Sequence, residues 1–376
     1  MNKKFKILTV VGTRPEFIRL SVILQKFNKY FDSYIINSFQ NTDKELNQNI
    51  IKDLGVKGKI YNITHKKNND HIIKTLNILS QVHKKIEIIK PDAFFVLGDT
   101  NSTLSVLIAK RKKIPIFHME AGNRCFDQLV PEEINRKIVD HISDINLTYS
   151  SIARDYLVRE NFPVDQIIKV GSPLKEVFNH YKVKINNSKI LQRLRIRAKN
   201  YFVCSFHRSE NIDNQDSFEK IIKILSAIEK KYDKKIILST HPRTKAILDK
   251  NILLKKILKK TIFIKPLIYT DYINLQMNSL ITISDSGSIN EEASILNIKA
   301  LNLRKSHERP EASEEAVTIL TNLDIQNTII SIDKLLIDDY KPRIVRDYDE
   351  NNVSEKVCNI ILSYTNFINQ KVWKKN

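Results

Sequence analysis

Three acidic residues in the first half of the chain stand where chemistry can be done. Asp99 follows the apolar run VLG, Glu120 follows FHM, and Glu132 opens a helix-like stretch behind Pro131. Carboxylates brought to one site can take up and return protons. Ordinary roles compete for two of them. Asp99 can cap the stretch TNSTLSVL, while Glu132 suits a helix start and stands four residues before Arg136, a common pairing on a helix face. Glu120 resists such an account, because an apolar strand carries it outward.

Groups suited to phosphate accompany them. In VGTRPEFIRLS, residues 11–21, Gly12 sits between strand-like KILTVV and PEFIRLSVILQKF, whose apolar residues recur at helical spacing. Pro15 suits the first helical position, which leaves free N–H groups and the positive dipole end facing the turn. Arg14 adds a planar, permanently charged fork. An ordinary turn with a solvated Arg fits the same residues, and both readings stay open. SDSGSINEE offers a second such turn, with the Ser286 hydroxyl and the N–H groups of Gly287 and Ser288. His207 and Arg208 follow the strand-like YFVCSF. Two turns with Arg14 and His207 suit a diphosphate, and carboxylates beside a diphosphate fit proton transfer coupled to its departure.

The elements that must position these groups alternate along the chain. FKILTVV, SYIINSF, DAFFVLG, IPIFHME and INLTYS read as strands in the first half, YFVCSF, KIILST, TIFIKP, LITISD and IKALNL in the second. Helical spacing covers 15–28, 71–89, 100–112, 132–142, 216–231 and 288–297. This predicts an α/β fold of two Rossmann-like, doubly wound domains. The seam is expected at VGSPLKEVFNHY, giving an N-terminal domain 1–171 with the acid/base residues and a C-terminal domain 172–353, with the last helix, within 354–376, completing the first. Five of the seven glycines (Gly12, Gly98, Gly122, Gly171 and Gly287) fall at expected strand ends. Ligands bind outside the carboxyl ends of such strands, so all five point to one interdomain cleft. Gly171 and Pro173 are the hinge candidates. Neither half carries G-x-G-x-x-G or G-x-x-x-x-G-K-[ST], which argues against a bound nicotinamide and against P-loop chemistry.

Composition narrows the partners. The formal charge of +20 over 376 residues comes mostly from Lys scattered among Ile and Asn, without basic blocks interleaved with aromatics. Nucleic acid is therefore not the expected partner. Cys125, Cys204 and Cys358 lie far apart, which suits a reducing compartment without disulfides or structural zinc. With a strand at the N-terminus and no membrane-length apolar run, the chain is expected in the cytoplasm, away from membranes. No metal or cofactor is expected.

The motifs VGTRPEFIRLS, LGDTNSTL, HMEAGNRCFDQLVPEEINR, HRSEN, SDSGSINEEASIL and SHERPEA resemble, in order and spacing, the non-hydrolysing UDP-N-acetylglucosamine 2-epimerase family. NRCFDQLVPEEINRKIVDHISDINLTYS is most similar to a subfamily that converts UDP-2-acetamido-2,6-dideoxy-L-talose into UDP-N-acetyl-L-fucosamine for capsule or O-antigen. A sister activity on UDP-N-acetyl-L-rhamnosamine stays open. The resemblance implies a GT-B-type arrangement, a homodimer, and elimination of UDP to a 2-acetamidoglycal followed by re-addition. It implies that Arg14, His207, Ser286, Gly287 and Ser288 face the diphosphate, Glu292 the ribose, Arg309 the phosphate or sugar, and Tyr272 the uracil. Asp99, Glu120, Glu132 and nearby Arg136 match the residues around the sugar. The family has Lys where this chain has Arg19, which suits a different hexose or simply a pair with Glu16. It also has a second Gly where this chain has Ser288. A GT-B glycosyltransferase, a hydrolysing epimerase and a polyanion-binding protein are the rival readings.

Overall fold

A strand covered by helices on both faces loses the alternation of apolar and polar residues. In AFFVL every residue is buried, and burying each Phe contributes about 1.5–3 kcal/mol. Such a run belongs at the centre of a sheet. The computed structural model of the protein, which describes residues 4–39, 44–65, 70–240, 242–251, 256–304, 307–337 and 341–375, places it there. The chain divides into two compact units, Met1–His180 with Arg346–Asn376, and Tyr181–Val345.

Unit 1 holds β1 (Lys6–Val11), β2 (Asp32–Asn37), β3 (Lys59–Asn62), β4 (Ala93–Leu97), β5 (Ile116–Ala121), β6 (Ile145–Thr148) and β7 (Ile167–Lys169). They pair in parallel in the order β3, β2, β1, β4, β5, β6, β7. Leu8, Val10, Ile36, Phe94, Val96 and Ile116 project from the sheet onto Ile78, Val82 and Ile86 of the helix His71–Ile89 and Val139 of Pro131–Ile142. The helix Arg14–Tyr30 packs on the last helix, Val353–Lys371, with Lys26 Nζ 3.2 Å from Glu355. Gly171 lies in this unit, and the N–H of Ser172 donates to the Asp347 carbonyl at 3.0 Å.

Unit 2 repeats the plan with β8 (Tyr201–Ser205), β9 (Lys235–Ser239), β10 (Thr261–Ile264), β11 (Thr282–Ser284), β12 (Ala300–Asn302) and β13 (Ile319–Leu320). Their order is β10, β9, β8, β11, β12, β13, again parallel. Phe202, Cys204, Ile236, Leu238 and Ile283 pack with Phe218, Ile221 and Leu225 of the helix Gln215–Tyr232. Strand order reverses between β1 and β4 and between β8 and β11, which makes the carboxyl ends of these four strands the natural ligand sites.

Two local differences from the sequence reading matter. The stretch expected as a helix over 100–112 starts as a 3-10 turn, Asn101–Ser105, before Val106–Arg111. The helix expected from Pro15 begins at Arg14. Among the described residues no helix is long and apolar enough to cross a membrane. Ser306 of SHERPEA lies outside the described residues.

Candidate active site

The first turn of unit 1 is filled by its own chain. Glu16, 4 % exposed, folds back so that Oε2 accepts the N–H groups of Gly12 and Thr13, the latter at 3.0 Å. Its Oε1 accepts the Thr100 hydroxyl at 2.8 Å. Donors expected to face a phosphate are therefore occupied by an internal carboxylate. Burial pushes the Glu16 carboxyl up to about 7, against these hydrogen bonds and with help from the charge on Asp99. Arg14 is half-buried at the first helical position. Arg19, 5 % exposed, lays its guanidinium over the Tyr149 ring, 5.7 Å from the centroid, while the carboxylate of Glu16 turns to the β1 and β4 exits.

Asp99 and Glu120 stand at the same end of the neighbouring parallel strands β4 and β5. Glu120 has φ +68°, a left-handed backbone rare for such a residue, and sits where the β5–β6 register shifts between Met119 and Ala121. The bulge turns its carboxylate toward Gly98, whose missing Cβ would lie 3.5 Å from Oε2. Asp99 Oδ2 accepts both Nε (3.0 Å) and Nη2 (2.6 Å) of Arg136, whose Nη1 donates to Glu133 at 2.7 Å. Asn135 Nδ2 donates to the Asp99 carbonyl at 2.9 Å. Glu132 stays half-buried with no hydrogen-bond or ion-pair partner among the described residues. The pair foreseen between Glu132 and Arg136 is thus replaced: Arg136 turns to Asp99 and Glu133.

A buried network holds these exits. His118 donates through Nε2 to the Gly98 carbonyl at 2.9 Å, and its Nδ1 is 2.9 Å from Asp140 Oδ1, both side chains fully buried. Arg124 binds Asp140 at 2.7 Å and clasps Glu160 through Nε and Nη2. Burial would raise the Asp140 carboxyl, but His118 and Arg124 hold it below the usual carboxylate range.

Unit 2 builds a matching histidine on an open edge. Asp285, fully buried past β11, accepts the backbone N–H groups of His207 and Arg208 and Asn211 Nδ2. It also stands 3.2 Å from His207 Nδ1, which directs Nε2 of this 45 % exposed side chain outward. Burial alone would raise the Asp285 carboxyl, but His207 and these donors hold it low. Next to it, Ser286, Gly287 and Ser288 are half-buried. Ser288 Oγ donates to Glu292 Oε1 at 2.7 Å, Gln276 Nε2 donates to Oε2 at 2.8 Å, and the Ser286 and Ser288 hydroxyls are 2.9 Å apart. Ser288 thereby fixes one oxygen of Glu292. A Cβ on Gly287 would come within 2.5 Å of Glu308 Oε1, which pairs with Arg208 at 3.8 Å. Tyr272 is half-buried, its hydroxyl 3.0 Å from Ser205 Oγ at the end of β8. Arg309, expected at the phosphate or sugar, is 1 % exposed and its Nη2 is bound to buried Glu291 at 2.8 Å.

Within unit 1, therefore, Asp99, Glu120 and Arg136 converge, and within unit 2 His207 joins the Ser286–Ser288 turn through Asp285. Sequence reasoning missed Glu16, Glu133 and Asp285. Helical spacing carries a signal for Glu133, which shares the buried face with Arg136 and Asp140. Asp285 leaves no such trace, since its role depends on β8 and β11 being neighbours.

The model of the family described as UDP-N-acetylglucosamine 2-epimerase matches residues 25–362. The structure of a UDP-N-acetylglucosamine 2-epimerase from Rickettsia bellii is 40 % identical, with a TM-score of 0.91 over 99 % of this chain and 100 % of that one. The Methanocaldococcus jannaschii UDP-GlcNAc 2-epimerase, solved in complex with UDP-GlcNAc and UDP, is 31 % identical with a TM-score of 0.89 over 96 % of this chain and 100 % of that one. A Pseudomonas aeruginosa UDP-2,3-diacetamido-2,3-dideoxy-D-glucuronate 2-epimerase is 27 % identical over 344 residues, 89 % of this chain and 94 % of the relative. With carboxylates at the exits of one parallel sheet and a phosphate-competent turn at those of the other, the chain belongs to the UDP-N-acetylglucosamine 2-epimerase family, the non-hydrolysing nucleotide-sugar 2-epimerases.

Proposed function

We propose that the enzyme inverts C2 of a UDP-2-acetamido-2,6-dideoxy-L-hexose, taking the L-talo to the L-fuco configuration and supplying UDP-N-acetyl-L-fucosamine for capsule or O-antigen. Arg19 supports a sugar other than N-acetylglucosamine: its planar guanidinium, 5.7 Å from the centre of the Tyr149 ring, stands where the family pattern has the point charge of Lys. In this reading unit 2 holds the UDP, with His207 and the Ser286, Gly287 and Ser288 turn at the diphosphate, Glu292 toward the ribose and Tyr272 toward the base. Arg14 supplies a further positive charge in this reading.

The proton at C2 has no neighbouring carbonyl to acidify it, so the reaction proceeds by expulsion. A carboxylate takes the proton, the C2–H electron pair becomes the C1=C2 double bond, and the C1–O bond breaks with its pair leaving on UDP. UDP then re-adds to C1 of the 2-acetamidoglycal while an acid returns a proton to the opposite face of C2. Asp99, Glu120 and Glu132 form the proton-handling set. The observation that carries this is the left-handed Glu120 on the β5 bulge, since strain of that kind, costing about 1–3 kcal/mol, persists where a side chain must be aimed. Positive groups on the leaving diphosphate supply the electrostatic part of the acceleration.

Proton NMR in D2O tests substrate and route together. Conversion of UDP-2-acetamido-2,6-dideoxy-L-talose with one deuterium gained at C2 is expected. Exchange confined to UDP-N-acetylglucosamine would move the substrate to the parent activity, and exchange with neither would favour the L-rhamnosamine sugar. E120Q should lower turnover by at least about a hundredfold while UDP still binds, as calorimetry would report; unchanged turnover removes Glu120 from the mechanism.

A homodimer also forms part of this proposal. Neighbouring helices His71–Ile89, Val106–Arg111 and Pro131–Ile142 expose Ile72, Leu76, Leu107, Ile134 and Ile138, an apolar face suited to a second copy.

A further inference from the structure

We infer that Glu16 is a positioning residue of the epimerisation, fixing Asp99 by tying the exit turn of β4 to that of β1. The inference rests on the reading above, in which Asp99 works on the substrate. Three contacts place Glu16 at the reversal of strand order: Gly12 and Thr13 N–H on one oxygen and the Thr100 hydroxyl on the other. Thr100 follows Asp99 directly, so a pull on its hydroxyl is a pull on the Asp99 backbone. The same turn is held on its other sides by Asn135 at the Asp99 carbonyl and by His118 at the Gly98 carbonyl. Arg136 then fixes the carboxylate itself. With Gly98 at φ +74°, the β4–β5 ladder ends where the Gly98 N–H donates to the Met119 carbonyl at 2.9 Å, and for Asp99 beyond it these side chains supply the constraint.

Glu16 does not reach the sugar in this scheme. It is almost fully buried, its oxygens are taken by the two turns, and its effect passes through Thr100. A glutamine can reproduce the pattern, with its carbonyl oxygen accepting both N–H groups and its amide donating to the Thr100 hydroxyl, which accepts as readily as it donates. Alanine cannot, and valine at position 100 severs the tie while leaving Glu16 on the first turn.

The test compares T100V, E16A, E16Q and D99N by kcat, KM, UDP affinity and thermal melting. T100V should lower kcat about tenfold with KM within about twofold, because a misplaced group costs the transition state more than the ground state. E16A should lower kcat at least as far, E16Q should recover most of that loss, and T100V with E16A should be no worse than E16A alone. Turnover in T100V equal to that of the native enzyme overturns the inference, even if E16A fails to fold. So does E16Q as damaged as E16A, which would make the charge and not the tie the working feature. D99N reports on the underlying reading. Inactive D99N with unaffected T100V overturns the positioning role alone, whereas fully active D99N removes Asp99 from the chemistry and the positioning role with it.

Discussion

At the scale of single residues, the buried carboxylates divide by what surrounds them. Asp285 and Asp140 each sit beside a histidine and several donors and are held below their ordinary range, whereas Glu16 meets only neutral donors and is pushed up to about 7 by burial. The sign of its effect on stability follows. Between 4.5, its ordinary value, and about 7 the folded state holds a proton on Glu16 that the unfolded state has released. Stability from this group is therefore full below pH 4.5 and is lost as pH rises to about 7. E16Q, which cannot titrate, should gain on the native enzyme across that window, by up to roughly 3 kcal/mol at its upper end. Urea unfolding of both proteins at pH 5 and 8 would check this; a difference independent of pH would show that Glu16 ionises normally in the fold. Of its three contacts, that with the Thr13 N–H is the capping box legible in Thr13 and Glu16, whereas those with Gly12 and Thr100 were hidden, because the Thr100 tie depends on β1 and β4 being neighbours.

At the scale of elements, the strand exits carried most of the legible signal. Runs such as AFFVL and KILTVV announce buried parallel strands because every residue in them is apolar or nearly so, and glycine scarcity made the turns stand out. β3 and β13 escaped notice for the opposite reason: the one is half-exposed at the sheet edge and the other is two residues long. Glu132 was legible as an acid at a helix start, but its separation from Arg136 was not, since that depends on β4 bringing Asp99 alongside the helix. Gly122 shows how strict an exit can be. With φ +79°, it stands so that a Cβ would meet the Ala153 carbonyl oxygen at 2.2 Å, a backbone atom that cannot swing away. G122A should therefore cost about 3 kcal/mol or more, combining left-handed strain with displacement of the helix Ser151–Arg159, which carries Ala153. Gly55 is the control, since it has φ +57° and nothing within 4 Å of its added Cβ. G55A should cost only about 1 kcal/mol. Equal urea midpoints for the two variants would mean that the backbone around Gly122 yields more easily than its packing implies.

At the scale of the whole molecule, charge and apolar surface pull against each other. A chain with formal charge +20 repels its own copies, and the helix His71–Ile89 of the proposed dimer face adds Lys74, Lys84 and Lys85 to that repulsion, whereas Lys110 and Lys112 nearby are paired with Asp144 and Glu87. What offsets it is the apolar set Ile72, Leu76, Leu107, Ile134 and Ile138, whose association does not depend on opposite charges. Salt then has a definite sign. Added salt shortens the Debye length from about 14 Å at 50 mM to about 6 Å at 300 mM, weakening repulsion between copies while leaving apolar contact intact. Sedimentation velocity should therefore find a dimer that tightens with salt, the reverse of an interface built on ion pairs. I134E with I138E, both at exposed positions of Pro131–Ile142, should give monomers without loss of thermal stability, because neither side chain supports the core of its own unit. A native enzyme that sediments as a monomer at every salt concentration, or a double variant that remains dimeric, would place the apolar face outside any interface between copies.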